Sequence, residues 1–310
     1  MLSRTADNLF WLSRYVERAD YLARILEATQ RLSVLPVSYA GEGDAWHSAL
    51  ATAGCLNAFL AIYEKPTAET VTEFLAFSEQ NPSSIRRCLE TARFNARAVR
   101  TALTQEMWET INGAWLELQK TEATVPSNLS RFTEWVKDVS LRIDGSGYRT
   151  MLRNDAYWFS RLGFFIERAD NTARILDVKY HLLLPEHSKV GGGLDYAQWT
   201  SILRSVNALT AYRWVYRESL KPWLIADLLI LNEELPRSLA ACYKSVVDCL
   251  DSLGTAYGTQ GKAQRQARTI HTALENGTIE QVFQTGLHEF LTGFIADNNR
   301  LGAAIVEQYL

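Results

Sequence analysis

Through the first part of the chain the apolar residues Leu9, Leu12, Val16, Ala19, Ala23 and Leu26 return every three or four positions, with polar residues between them. That spacing lays one apolar stripe along an α-helix. Continued along the sequence, it predicts helices at about 3–34, 44–63, 67–78, 82–101, 104–122 and 127–143. A second series follows at about 148–183, 194–218, 221–231, 236–253, 261–274 and 278–308. Proline and glycine fall mostly between these stretches, as helix punctuation. Asn81-Pro82-Ser83-Ser84 reads as a capped helix start, and Leu235-Pro236-Arg237-Ser238 reads alike without the polar cap. No stretch alternates apolar and polar residues as a half-buried strand does. The fold class expected is all-α, a helical bundle of about twelve helices.

The second series repeats the first. Residues 17–26, Glu-Arg-Ala-Asp-Tyr-Leu-Ala-Arg-Ile-Leu, match 167–176, Glu-Arg-Ala-Asp-Asn-Thr-Ala-Arg-Ile-Leu, at eight of ten positions. Trp46, Ser48, Leu50, Leu56 and Ala58 recur as Trp199, Ser201, Leu203, Leu209 and Ala211. Glu79, Pro82, Ser84 and Cys88 recur as Glu233, Pro236, Ser238 and Cys242. The offset drifts only from 150 to 154, which marks one ordered duplication too long in period for a solenoid. It predicts a single domain, 1–310, of two halves, about 1–145 and 146–310, related by a pseudo-two-fold axis. The two first helices, each on the order of 45 Å long, are the expected central pair.

Steps of three, four and seven put Glu17, Asp20, Tyr21 and Arg24 on one side of the first helix. Ala19 and Ala23 form an adjacent strip that permits close helix contact. Glu167, Asp170 and Arg174, with Ala169 and Ala173, repeat the arrangement. Two such helices crossing would gather these acids with Arg18, Arg24, Arg168 and Arg174, and charges buried there must be paired. Two readings follow. The block is a structural lattice of ion pairs, or it is a polar cleft. In the cleft, arginine forks would hold a carboxylate, phosphate or peptide-like ligand, and Glu17 or Glu167 would serve as base or amine anchor.

A second basic feature is confined to the first half. Arg93, Arg97 and Arg100 share a helical face, while the counterpart segment Ala240 to Ser252 has no arginine. It is either a solvated face or an anion-binding wall, with Arg97 and Arg100 as candidate substrate contacts beside Arg18, Arg24, Arg168 and Arg174.

Composition narrows the remaining choices. The 310 residues carry a net charge of −3, which provides no global basic field for nucleic acid. Arg213 and Arg217 are interleaved with Tyr212, Trp214 and Tyr216, a pattern more simply read as core and junction filling than as base stacking. Cys55, Cys88, Cys242 and Cys249 are scattered through apolar stretches and read as reduced core residues. The longest apolar runs, such as Trp223 to Leu231, contain Asp227 and are too short to span a bilayer. No apolar signal region opens the chain, so the expected compartment is the cytoplasm. Gly191-Gly192-Gly193 follows no strand and reads as a linker rather than a phosphate loop. The five histidines lack metal-ligand spacing, so neither metal nor cofactor is expected.

Three ordered segments resemble the bacterial alpha-E proteins, a family named for its Glu-Arg motif. They are Asn8 through Ala19, Asn81 through Arg97, and Phe165 through Asp170. One departure is Phe94, where the family pattern often has glutamate before Asn-Ala-Arg. The resemblance spans essentially the whole chain and implies a helical domain, with Glu17, Arg18, Glu167, Arg168 and Arg97 at motif positions. It also implies a setting. Alpha-E proteins accompany or are fused to an atypical ATP-grasp-type ligase and often a transglutaminase-like protein. A component of a peptide- or amide-forming pathway is therefore expected, binding a peptide-like or carboxylate substrate or docking on the ligase. An acyl- or amide-transfer enzyme using a motif glutamate, and a scaffold with no site of its own, are the alternatives.

Overall fold

The computed structural model describes residues 1–34, 44–121, 128–182 and 193–310. Among these, every regular element is helical, and no strand occurs. The first half contains α1 (Ser3–Ser33), α2 (Asp44–Thr52), α3 (Leu56–Leu60), α4 (Ala68–Thr72), α5 (Ile85–Ala98), α6 (Gln105–Thr121) and α7 (Leu129–Thr150). The second contains α8 (Asp155–Leu182), α9 (Gly193–Ser205), α10 (Leu209–Tyr216), α11 (Pro222–Ile230) and α12 (Leu239–Tyr257). It ends with α13 (Lys262–Glu275), α14 (Ile279–Thr285) and α15 (Leu287–Tyr309). Of the expected glycine linker, residues 191 and 192 lie outside the described residues.

Among the described residues, fifteen α-helices stand where twelve were expected, because three continuous apolar patterns are interrupted. Each interruption sits at a residue with positive φ: Gly54 at 68°, Asn207 at 57° and Gly286 at 98°. Helical periodicity survives such a break, since one left-handed residue redirects the axis without changing which residues are apolar. Gly54 and Asn207 occupy matching places in the two halves. After each, a backbone amide closes back on the preceding helix, Cys55 on Leu50 at 3.0 Å and Ala208 on Leu203 at 2.7 Å.

Other boundaries move for equally local reasons. Helices α5 and α12 start three residues beyond the prolines, capped by Ser84 and Ser238, whose hydroxyls accept from the amides of Arg87 and Ala241. Both hydroxyls also donate to a carbonyl six residues back, Ser78 at 2.8 Å and Asn232 at 2.5 Å. Helix α7 runs through Asp144-Gly145-Ser146-Gly147 to Thr150, where the sequence pattern suggested a break. The true stop comes just before Asn154, whose side chain caps α8 through Ala156 and Tyr157.

Helices α1 and α8 pack along each other at the centre. Helices α5 and α7 flank α1 as α12 and α15 flank α8, and α6 joins α5 to α7 as α13 joins α12 to α15. Helix α2 bridges α1 and α8, whereas α9 rests mainly on α1. Leu9, Leu12, Leu26, Leu162, Ala169 and Ala173 are fully enclosed along the central seam. The tightest approach lies at Gly163, where a Cβ would sit 2.1 Å from the carbonyl oxygen of Phe10. One turn away, the hydroxyls of Ser13 and Ser160 meet at 2.8 Å. The bare backbone at Gly163 brings the acidic blocks of the two helices within reach of each other.

Candidate functional site

Because α1 and α8 cross closely, the two Glu-Arg blocks interlock across the interface. Arg168 donates to Glu17 through Nε at 3.1 Å and Nη2 at 3.2 Å. Arg18 donates to Glu167 through the same two nitrogens at 2.6 and 3.2 Å. Each glutamate therefore accepts a two-pronged bond from the opposite helix, the arrangement that best matches a planar guanidinium to a carboxylate. The sequence placed these four residues together, and the structure joins them as reciprocal pairs.

Each glutamate also has a second arginine, drawn from a different place. Arg14, one turn earlier on α1, donates to Glu167 at 2.7 Å. Arg237, in the turn before α12, donates to Glu17 at 2.9 Å and to Asp20 at 2.8 Å. Neither was singled out from the sequence. The available signal was a mismatch between the repeats: Arg237 aligns with Ser83, and Arg14 with Phe164. Ser83 lies against Arg18 at 3.4 Å, and the Phe164 ring lies under the Arg168 guanidinium at 3.9 Å.

Arg24 and Arg174 hold the aspartates of their own helices, at 2.7 Å from Asp20 and 2.6 Å from Asp170. Arg24 also donates to the carbonyl of Ser205 at the end of α9, where the helix dipole favours a cation. Tyr21 donates to the Thr52 carbonyl at the end of α2 at 2.8 Å.

The carboxylates are deep inside. Glu17 is fully buried, and Asp20, Glu167 and Asp170 are nearly so. Burial works to raise the pKa of Glu167, but the charges of Arg18 and Arg14 more than offset it and hold the group below its ordinary value of 4.5. For Asp20, burial is likewise overcome by Arg237 and Arg24, and the group stays below 3.8. One oxygen on each of Asp20 and Asp170 is buried without a hydrogen-bond partner. Such an oxygen is the place an ordered water would occupy.

Arg97 and Arg100 are not part of this cluster. Both are exposed, Arg97 in the last turn of α5 and Arg100 just beyond its end, where Arg100 lies over the Trp108 ring at 5.5 Å. The neighbouring Arg93 donates to Asn112 at 2.8 Å. The basic face is therefore directed to α6 and solvent, not to the crossing of α1 and α8. The four cysteines are free, and burial pushes each thiol up to about 12. Among the described residues no group of three histidine, cysteine, aspartate or glutamate side chains could hold a metal ion. No described helix is long and apolar enough to cross a membrane.

A family model described as a predicted alpha-helical domain with a conserved ER motif matches residues 1–310. The chain belongs to the Alpha-E family. Glu-Arg occurs twice in this Alpha-E chain, at Glu17-Arg18 and Glu167-Arg168, the residues that form the reciprocal pairs. Comparisons with curated proteins and with solved structures gave no match. For this Alpha-E protein the paired motif thus has a definite geometry, a closed lattice of ion pairs across the central helices.

Proposed function

We propose that this chain is a non-catalytic helical component of a peptide- or amide-forming, ATP-grasp-associated system, and that it acts by docking on the partner ligase. The observation that supports this reading is the occupancy of the motif glutamates. All four carboxylate oxygens of Glu17 and Glu167 accept from guanidinium groups. A general base needs a lone pair directed at the proton it removes and a basicity near the working pH. Glu167 instead is held acidic by its arginines. A carboxylate substrate at Arg18 or Arg168 would have to displace the glutamate already there. The arrangement is that of a register-setting buried network, which leaves the outer helical faces for partners. The ligase, and a transglutaminase-like protein beside it, come from the family resemblance.

We also infer that the two halves of the chain, meeting between α7 and α8, are related by a pseudo-two-fold axis within one domain. The reciprocal glutamate–arginine pairs, the matched breaks at Gly54 and Asn207, and the matched caps at Ser84 and Ser238 support it.

Co-expression with an ATP-grasp-type ligase of the kind the family resemblance implies tests the functional reading. The wild-type protein is expected to co-purify with the ligase. Glu17→Gln and Glu167→Gln, assayed well below their melting temperatures, are expected to support product formation at the wild-type rate. Failure to co-purify rejects docking. Loss of product with the complex and fold intact reassigns the glutamates as catalytic.

A further inference from the structure

Helices α6 and α7 run antiparallel. At one end the hydroxyl of Thr104, just before α6, meets that of Thr150 at 2.7 Å, and at the other Arg142 reaches Glu117 at 3.9 Å. Between these contacts lies an open groove of about 600 Å³, lined by Glu106 and Thr110 from α6 and by Arg142, Gly145, Ser146 and Arg149 from α7. That is the size of a small-ligand site.

Opposite charges share this groove without closing on each other. Among the described residues, neither the Glu106 nor the Arg149 side chain has an ion-pair or hydrogen-bond partner. Glu106 lies in the first turn of α6 and Arg149 in the last turn of α7. The helix dipoles explain the sign of each charge, but not why both line one groove. The hydroxyls of Thr110 and Ser146 donate to carbonyls of their own helices, Glu106 at 2.8 Å and Ile143 at 2.9 Å. They therefore offer the groove lone pairs only. Gly145 sits in the middle of α7, where glycine is costly relative to alanine, yet no atom lies within 4 Å of where its Cβ would be. Packing within this chain does not require glycine there. Its bare backbone keeps the floor open between the two arginines.

We propose that this groove binds a short acidic peptide by its free amino end. The terminal ammonium pairs with Glu106, the nearest carboxylate of the peptide with Arg149, and a second carboxylate with Arg142. The arginines are seven residues apart, about 10 Å along the helix, a span that two to three extended residues cover. Peptide N–H groups lying over Gly145 donate to Thr110 and Ser146. A plain polyanion would leave Glu106 opposed by like charge, and a basic peptide would meet two arginines. The site uses no member of the glutamate–arginine lattice and does not depend on docking to a ligase.

The test titrates the intact protein by calorimetry with triglutamate, N-acetyl-triglutamate, glutamate and trilysine. Triglutamate is expected to bind about tenfold more tightly than the acetylated peptide or glutamate, and trilysine not at all. R142Q/R149Q is expected to weaken triglutamate by about tenfold or more. Glu106→Gln should bring triglutamate down to the affinity of the acetylated peptide without weakening the latter. Gly145→Met, which fills the floor, is expected to block triglutamate without lowering Tm. The substituted positions lie outside the buried lattice, and thermal melts of each variant separate loss of binding from loss of fold. No binding of triglutamate at millimolar concentration, equal binding of the free and acetylated peptides, or an unchanged affinity in R142Q/R149Q overturns the proposal. The titration contains no ligase, so it decides the groove whether or not docking stands.

Discussion

Arg168 on α8 grips Glu17 on α1 through two nitrogens, at 3.1 and 3.2 Å, with the carboxylate fully buried. The contact joins residues 151 positions apart, and its mirror partner, Arg18 on Glu167, ties the same helices from the other side. Removing one member of such a pair leaves the other buried and uncompensated, which costs far more than an exposed ion pair contributes.

Glu17→Gln should therefore lower the unfolding free energy by about 3–5 kcal/mol, because Arg168 and Arg237 both lose their acceptor charge. Arg97→Ala, on the exposed side of α5, should stay within about 0.5 kcal/mol of wild type. Urea denaturation of the two variants measures the contrast. Equal effects would mean that the lattice contributes nothing beyond surface charge.

Stability should fall at both ends of the pH scale. The carboxyls of Asp20 and Glu167 lie below their ordinary values of 3.8 and 4.5 in the folded chain. The unfolded chain therefore takes up protons that the folded chain refuses, and acid favours unfolding. Their contribution is complete above about pH 5 and should be lost as pH drops through 4.5 and below. The thiols shift the other way, from 9 to about 12 on folding. Their contribution is full below pH 9 and is lost as pH climbs toward 12. Thermal melts across the range should trace a plateau with both edges, and a flat acid edge would contradict the burial of the charges.

Two glycine-to-alanine substitutions should have opposite signs. At Gly163 the new Cβ would lie 2.1 Å from a backbone oxygen of Phe10, so α1 and α8 must separate. The overpacking cost, about 3 kcal/mol, exceeds the gain of about 1 kcal/mol in helix propensity. At Gly145 nothing is in the way, and the propensity gain should appear alone as a raised Tm.

The buried thiols should be silent. Cys88, Cys242 and Cys249 are enclosed, and at pH 8 only a trace of each would be thiolate, the reactive form. A chromogenic disulfide reagent should find no rapid reaction at these three in the native protein and four thiols per chain in denaturant. Rapid reaction of Cys88 in the native state would show that α5 opens readily from α1.

The helical class and the central helix pair were legible in the sequence because apolar spacing records which face of a helix is buried. The breaks at Gly54, Asn207 and Gly286 were not, since a single left-handed residue leaves that spacing intact. For the candidate site, Glu17, Arg18, Glu167 and Arg168 could be brought together from the repeat alone. Arg14 and Arg237 could not. Their reach depends on the angle at which α1 and α8 cross, and on a turn more than 200 residues from Glu17 in the case of Arg237. Periodicity describes one helix at a time, whereas these bonds are properties of the crossing. The exposure of Arg97 likewise depends on which side of α5 meets its neighbours, and that of Arg100 on where α5 ends.

The lattice shares its members across the connection between α7 and α8. If the chain were cut at Leu152, the first fragment would carry Glu17 without Arg168 or Arg237, and the second would carry Glu167 without Arg14 or Arg18. Each fragment alone would hold a naked carboxylate on an apolar helix face. Mixed, they would supply each other's missing cations along the whole central seam, so the protein is a natural candidate for splitting into two pieces that fold only on meeting.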